Sequence, residues 1–402
     1  METTTKQLLS DLIINLKESE TIKMAAMARQ LKSEGKDIIS LSLGEPDFDT
    51  PEHIKASAKK AIDDNFSHYT PVPGYLELRE AIVNKFKRDN DLDYNADQIV
   101  VSTGAKQSIA NVVLCLVNKG DEIILPAPYW VSYGAIADMT DGKKIEIPTS
   151  IENDFKITAE ELDAVCNENS KLLIFSSPCN PTGSVYSFEE LKSLADVIVK
   201  YPSLIVVSDE IYEYINFEGK HESIAQFDHI KDQVVTVNGM SKGFAMTGWR
   251  VGYLAAPVWL AKACSKMQGQ FTSGTNSIAQ RASITALSSD LTPTYNMRDV
   301  FLKRRDLMIE KLSEIEGMKV NKPKGAFYIF PDVSDFFGRS FGSTTINNPS
   351  DVAEYLLSEA EVAVVSGVAF GDSNCIRISF AAAESELTEA VRRMTIALNK
   401  LS

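Results

Sequence analysis

The strongest constraint on the fold is an alternation between residues 99 and 257. Short apolar runs recur there, each followed by a loop of small or polar residues and then a stretch with helical spacing. The runs are Ile99-Val100-Val101, Glu122-Ile123-Ile124-Leu125, Leu172-Leu173-Ile174-Phe175, Leu204-Ile205-Val206-Val207, Val234-Val235-Thr236-Val237 and Val251-Gly252-Tyr253-Leu254. Most are apolar on both faces. A strand with one face in water would alternate apolar with polar, so these runs need cover on both sides. The pattern predicts an α/β architecture, a large domain whose mainly parallel sheet is covered by helices. Ligands in such sheets bind at the carboxyl ends of the strands.

Outside this region the pattern changes. Thr21 to Ser33 reads as a helix, Ser40-Leu41-Ser42-Leu43 as a short strand, and Gly44 to Pro51 (GEPDFDTP) as a loop of turn residues. Lys6 to Leu16 reads as a short helix or arm, and Pro51 starts a helix to about Asn65. Helical spacing dominates from Ser277 to Glu316. Short strands and helices then mix through Ala326 to Phe330, Val352 to Glu361, Val362 to Val365, Ile376 to Phe380 and a last helix from Glu384. We expect three parts: residues 1–46, an arm and part of a smaller domain; 47–290, the large domain; and 291–402, a smaller α+β domain.

Several function classes are excluded on chemistry. A formal charge of −14 does not suit a general nucleic-acid or anionic-membrane binder. Cys115, Cys166, Cys179, Cys264 and Cys375 are scattered and form no CxxC, which fits a reducing compartment. The chain shows no basic-then-apolar leader and no run long enough to span a bilayer, so a cytoplasmic protein is expected. No two glycines stand two apart, so a Rossmann fingerprint is absent, and no Gly-Lys pair precedes Ser or Thr as a Walker loop requires. Four scattered histidines argue against a metal site. Gly239-Met240-Ser241-Lys242-Gly243 satisfies GxSxG after a strand. The hydrolase triad needs a histidine later in the chain, and His53, His68, His221 and His229 all come earlier.

The residues just past the runs carry a different chemistry. Lys242 follows Val234 to Val237 on a small-residue loop, with Arg250 eight positions on. A lysine amine can condense with a carbonyl cofactor, and an arginine can hold that cofactor's phosphate. Taken alone, such a pair is more often two solvated cations. Thr103-Gly104-Ala105-Lys106 opens the next helix, where small residues let amides approach a phosphate. Trp130 can stack on a planar ring or fill a core. Asn180 sits in Ser177-Pro178-Cys179-Asn180-Pro181-Thr182-Gly183, and we expect a cis Asn180-Pro181 bond. Asp209 is a carboxylate at a buried strand end, with Tyr212 three residues on; it either caps a helix from Glu210 or pairs with a cation. Arg377, in an apolar strand, wants a bidentate anion or a structural salt bridge.

The order Tyr69, Gly104-Ala105-Lys106, Tyr129-Trp130, Asn180-Pro181-Thr182-Gly183, Asp209-Glu210-Ile211-Tyr212, Ser241-Lys242, Gly248-Trp249-Arg250 and Arg377 resembles the class I aminotransferases. These are fold-type-I enzymes that use pyridoxal 5′-phosphate. The likeness runs from about Ser19 to the C-terminus and is nearest to the bacterial subgroup Ib aspartate aminotransferases, with Leu78 to Ile82 (LREAI) and Phe244 to Arg250 (FAMTGWR) also matching.

The resemblance implies roles. Lys242 bonds the cofactor and shuttles a proton. Asp209 keeps the pyridine nitrogen protonated, and Tyr212 and Asn180 bond the 3-oxygen. Trp130 stacks on the ring. Arg250, with the backbone of Gly104, Ala105 and Lys106, holds the phosphate, and Tyr69 reaches it from the neighbouring subunit of a homodimer. Arg377, Asn180, Trp130 and the Gly44 backbone take the substrate. Lys106, with Ser19 and Thr21, helps recognise an acidic side chain, which points to amino transfer from aspartate to 2-oxoglutarate. Aromatic, prephenate or broad-specificity transamination, a lyase and a non-catalytic cofactor-binding regulator are the alternatives. The stretch Gln270 to Thr275 departs from the family pattern and transfers no contact.

Overall fold

In the computed structural model, which describes residues 8–16 and 18–402, the alternation becomes one seven-stranded sheet. After a two-residue strand β1 (Ile39–Ser40), its strands are β2 (Ile99–Ser102), β3 (Glu122–Ala127), β4 (Lys143–Pro148), β5 (Ser170–Ser176), β6 (Ile205–Asp209), β7 (Val234–Gly239) and β8 (Gly252–Ala255). Their spatial order is β2-β8-β7-β6-β5-β3-β4. Every pair is parallel except those of β8, which runs antiparallel to β2 and β7. The structure adds β4, which the sequence did not reveal. It is the edge strand beside β3, and most of its residues are half-buried or exposed, so no two-faced apolar run marks it.

Both faces are covered, and strand alternation divides the core between them. Along β5, Leu172 and Ile174 join one apolar cluster with Ile109 and Val113 of helix Ala105–Leu116 and Leu260 of helix Val258–Phe271. Leu173 and Phe175 point the other way. They join Ile54 of helix Glu52–Asp63, Leu78 and Ile82 of helix Leu76–Lys85, and Leu191 and Leu194 of helix Phe188–Ile198. Each aliphatic side chain so buried contributes roughly 1.5–3 kcal/mol.

A separate core forms around helices Thr292–Ser313 and Glu384–Leu398, with Phe301, Met308, Leu312, Leu387 and Met394 buried together. It backs an antiparallel sheet in which β14 (Ile376–Ser379) lies between β9 (Tyr328–Ile329) and β13 (Val365–Ser366). The hairpin β10 (Ser340–Phe341) and β11 (Thr344–Thr345) lies outside it, and β12 (Val362–Ala363) pairs in parallel with β1, bringing the N-terminal segment to this core. The strand expected over Ser40 to Leu43 is shorter than its apolar pattern, although the Leu41 amide still bonds Ala363 at 2.8 Å. The expected Lys6 to Leu16 segment is helical at Asp11–Asn15 and lies partly outside the described residues. All five cysteines are free thiols, and no helix among the described residues is long and apolar enough to cross a membrane.

Candidate active site

The singled-out residues reach one place by strand direction. β2, β3, β5, β6 and β7 run the same way, so the loops after them leave at one edge of the sheet. β8 runs in reverse, so Arg250, just before it, emerges at that same edge. There a cavity of about 330 Å³ is lined by Gly44, Ala105, Lys106, Trp130, Asn180, Asp209, Tyr212, Lys242, Arg250 and Arg377. Thr21 lines it as well, and its hydroxyl is buried without a partner. Ser19 stands outside it, ahead of helix Glu20–Ser33. Tyr69 is 98% exposed and is not part of this wall.

Asp209 ends β6 and is 3% exposed. No helix follows it, so the capping alternative fails. Residues 211–214 form turns, and Asp209 Oδ1 accepts the Ile211 amide at 3.2 Å. Its Oδ2 accepts the Tyr133 hydroxyl at 2.7 Å. Burial pushes its pKa up to about 6, against the pull of these two bonds. A carboxylate in this position is stabilised by a cation on the cavity side.

Lys242 follows β7, and its ammonium donates to the Gly44 carbonyl. The Gly44 loop is itself tied down by Arg304, whose two Nη atoms donate to the Asp47 carboxylate at 2.7 and 2.9 Å. The enclosing walls lower the Lys242 pKa to about 8, and Arg377 and Arg250 push it the same way, while Glu45 and Asp209 oppose them. The direction is the one a base or nucleophile needs.

Arg377, on β14, is 1% exposed. Its Nη1 donates to Asn180 Oδ1 at 3.0 Å and its Nη2 to the Ser42 carbonyl at 2.6 Å. The guanidinium lies over the Tyr328 and Phe370 rings, at 4.6 and 5.0 Å. Its Nε has no partner, and among the described residues no carboxylate pairs with it, which removes the salt-bridge alternative. Asn180 uses its oxygen on Arg377, which leaves its amide nitrogen to donate elsewhere. Tyr212 and Tyr328 share a hydroxyl–hydroxyl bond of 2.7 Å at the same wall.

At the other end, helix Ala105–Leu116 starts at Gly104, which has φ +83° and leaves the helix without a side-chain cap. Arg250 Nη1 donates to the Thr247 carbonyl at 2.8 Å, and its Nη2 lies where a Cβ on Gly104 would come within 2.3 Å. Ser241 also faces the cavity. Uncapped helix amides beside a guanidinium form an anion seat. The Gln270 to Thr275 stretch packs beside this seat in the same chain. Gln107 Nε2 donates to Thr272 Oγ1 at 2.6 Å, and the Thr103 and Thr275 hydroxyls are 3.1 Å apart. Lys106 lies 5.2 Å over the Trp130 ring, and its surroundings and Arg250 both lower its pKa.

One expectation is overturned. The cis bond lies not at Asn180-Pro181 but at Ser177-Pro178 in the same loop, with another at Ala127-Pro128. Any X-Pro bond is eligible on chemistry alone. Packing selects among them, and Pro178 is the proline pressed against Gly325, where an added Cβ would approach it to 2.6 Å. Tyr133 and Tyr328 were not singled out from sequence. Tyr133 carried a usable signal, one helical turn past Trp130; Tyr328 is an aromatic in an apolar strand, and only packing shows where its hydroxyl goes.

The buried carboxylate, the orphaned Arg377 Nε and the uncapped helix start match, in turn, the ring nitrogen of pyridoxal phosphate, a substrate carboxylate and the cofactor's phosphate. The comparisons with known proteins agree. Residues 36–394 match the family model for aminotransferase class I and II. The chain is 46% identical over 399 residues to the bifunctional aspartate aminotransferase and glutamate/aspartate-prephenate aminotransferase of Petunia hybrida, covering 97% of this chain and 82% of that protein. It is 43% identical over 389 residues to the aspartate/prephenate aminotransferase of Cereibacter sphaeroides, covering 96% of this chain and 97% of that one. The crystal structure of the aspartate aminotransferase from Rhizobium meliloti superposes with a TM-score of 0.95 at 40% identity, over 98% of this chain and 99% of that one. The chain belongs to the class I and II aminotransferases, fold-type-I enzymes that work with pyridoxal 5′-phosphate.

Proposed function

We propose that the protein moves the amino group of L-aspartate to 2-oxoglutarate, giving oxaloacetate and L-glutamate in two half-reactions. The observation that carries this reading is a pair of cations facing one cavity without carboxylate partners. Arg377, with its orphaned Nε, takes the α-carboxylate. Lys106, which forms no ion pair among the described residues, takes the side-chain carboxylate beside the Thr21 hydroxyl. A neutral side chain would leave Lys106 unused.

Pyridoxal phosphate, when bound, supplies an electron sink for the charge left as a proton departs from the amino acid's Cα. The chain's own groups do the rest. Lys242 Nζ, with its pKa lowered to about 8, is neutral often enough to take that proton and return it. The Asp209 carboxylate holds a proton on the ring nitrogen, and Tyr133 holds Asp209 in place. Tyr212 and the Asn180 amide nitrogen would donate to the 3-oxygen, and Trp130 would cover the ring face. Arg250 and the first amides of helix Ala105–Leu116 hold the phosphate.

The enzyme acts as a cytoplasmic homodimer, and its large domain comprises residues 47–290, with 1–46 and 291–402 forming the arm and the smaller domain. The outward-facing Tyr69, 98% exposed, supports a role in the partner's phosphate seat. A second reading has prephenate as an amino acceptor. The names of the Petunia and Cereibacter relatives favour it, and prephenate is also a dicarboxylate.

A panel of amino donors with 2-oxoglutarate, oxaloacetate and prephenate tests both readings. Lys106→Leu should raise KM for aspartate at least about tenfold, as expected for loss of a charge-assisted bond, and change phenylalanine or alanine little. Equal losses for all donors would place Lys106 on the phosphate or the fold and sink the reading.

A further inference from the structure

After β6, away from the residues that line the cavity, lies a buried cluster of titratable groups that the steps above do not use. The turn after β6 sends its side chains two ways. Asp209 and Tyr212 line the cavity. Glu210 and Glu213 enter the layer beneath helix Leu76–Lys85. Glu210 is 1% exposed; its Oε1 accepts the Ser208 hydroxyl at 2.9 Å and the Ser223 hydroxyl at 2.6 Å. Its Oε2 lies 3.0 Å from His221 Nε2. Glu213 pairs with Lys85, which is fully buried. Lys85 also donates to Asn90 Oδ1 at 2.7 Å, and Asn90 Nδ2 donates to Glu213 Oε2 at 3.3 Å. Asp89 Oδ2 stands 4.0 Å from Lys85 and accepts from Arg88 and Tyr214.

Glu210, Glu213 and His221 offer ligand atoms within 4.8 Å of one another. A metal ion is not needed there, because the Lys85 ammonium already occupies the cation's place on Glu213. Nor does stability explain the cluster. Apolar side chains of similar volume would join the same segments without desolvating ions. What ions and hydrogen bonds add is direction: they fix where the 209–213 backbone sits relative to the 85–90 and 221–223 segments.

We propose that Glu210, held by Ser208 and Ser223 with His221 close by, and Glu213, held by Lys85 and Asn90, are positioning residues that set Asp209 and Tyr212 in place for the cofactor's ring. The inference rests on the reading that Asp209 and Tyr212 face that ring. The cluster has an electrostatic side as well: the Glu210 charge pushes the Asp209 pKa up, and at His221, where burial pulls the pKa down, Glu210 and Glu213 more than offset it and raise it.

Glu210→Gln keeps an acceptor for both serines and removes the charge. Three quantities are read: the Kd of the apoenzyme for pyridoxal phosphate, the pH titration of the bound cofactor's absorbance, and kcat and KM. We expect about tenfold weaker cofactor binding and about tenfold lower kcat at unchanged donor KM, the scale seen when a group that orients a ligand-holding residue is lost. The absorbance titration should also shift. Adding His221→Gln, which removes the imidazole that faced the lost charge, should recover part of the loss. Ser223→Ala, a change too small to threaten folding, should act in the same direction by about threefold, as for one hydrogen bond. Should Glu210→Gln not fold, Ser223→Ala decides alone. Cofactor Kd and absorbance titration within twofold of wild type in the variants that fold, with only the melting temperature lowered, would overturn the proposal. If aspartate proves a poor donor for the wild-type enzyme, the substrate reading fails, and the cofactor Kd ratios still decide this one.

Discussion

Asp209 and Lys242 show opposite pKa shifts with one physical origin, because burial disfavours the charged form of each. For Asp209 the folded pKa lies above the unfolded one, so its contribution to apoenzyme stability is present at low pH and is lost as pH rises through about 6. Asp209→Asn should therefore raise the apoenzyme's melting temperature at pH 8, recovering on the order of 2–3 kcal/mol. The same change should weaken pyridoxal phosphate binding and nearly abolish transamination. A melting temperature unchanged or lower at pH 8, compared with pH 4, counts against a strained carboxylate. For Lys242 the reactive form is the neutral amine, and its fraction grows as pH passes about 8. The rate at which apoenzyme recaptures pyridoxal phosphate should rise between pH 6 and 9 and level off above it. Lys242→Ala should lose the bound cofactor's absorbance and activity together. Both residues were legible in sequence from residue type and strand-end position. Tyr133 was not singled out, because its place one helical turn past Trp130 hints at the cavity but does not name the carboxylate it reaches.

Helix Ala105–Leu116 illustrates how an element contributes a site. Its start is uncapped, its first residue follows a glycine at φ +83°, and Arg250 fills the space that a side chain on that glycine would take. Gly104 sits at φ +83° and ψ 159°, a region essentially reserved for glycine, so Gly104→Ala should cost on the order of 1–3 kcal/mol in the backbone alone. Its larger effect should fall on the cofactor. Displacing the Arg250 guanidinium should weaken pyridoxal phosphate binding about tenfold, the scale of one charge-assisted hydrogen bond, while the protein still folds. Equilibrium dialysis of the apoenzyme with pyridoxal phosphate checks this, and wild-type affinity would refute the anion seat. Strand direction is the other lesson at this scale. From sequence, Arg250 precedes its strand whereas Trp130, Asn180, Asp209 and Lys242 end or follow theirs. Only the reversal of β8 brings it to the common edge. β4 escaped the sequence because an edge strand needs no second apolar face.

In the whole molecule, the site lies where the two cores meet, with Arg377 and Tyr328 coming from the smaller one and Lys242 and Asp209 from the sheet. Tyr69 points away from its own cavity, so the dimer reading makes a quantitative prediction. Lys242→Ala and Tyr69→Ala protomers should each be nearly inactive alone. Mixed in equal amounts, they should place roughly half of all dimers in the hybrid form, with one intact site each, and recover about a quarter of wild-type activity. No recovery after dissociation and reassembly would leave Tyr69 outside the partner's site. The sequence by itself determined the α/β class and the sheet-edge residues, because two-faced apolar runs and strand-end chemistry are local signals. Motif order also picked out Lys242, Asp209, Asn180 and Arg377, which line one cavity. Tertiary structure decided which proline is cis, that Asp209 caps no helix, and that Arg377 has no carboxylate partner. It also revealed that Tyr133 and the Glu210–His221 cluster stand behind the turn that follows β6. Those facts depend on residues far apart in the chain meeting in a buried space, where the cost of an unpaired polar group, and not local propensity, selects the arrangement.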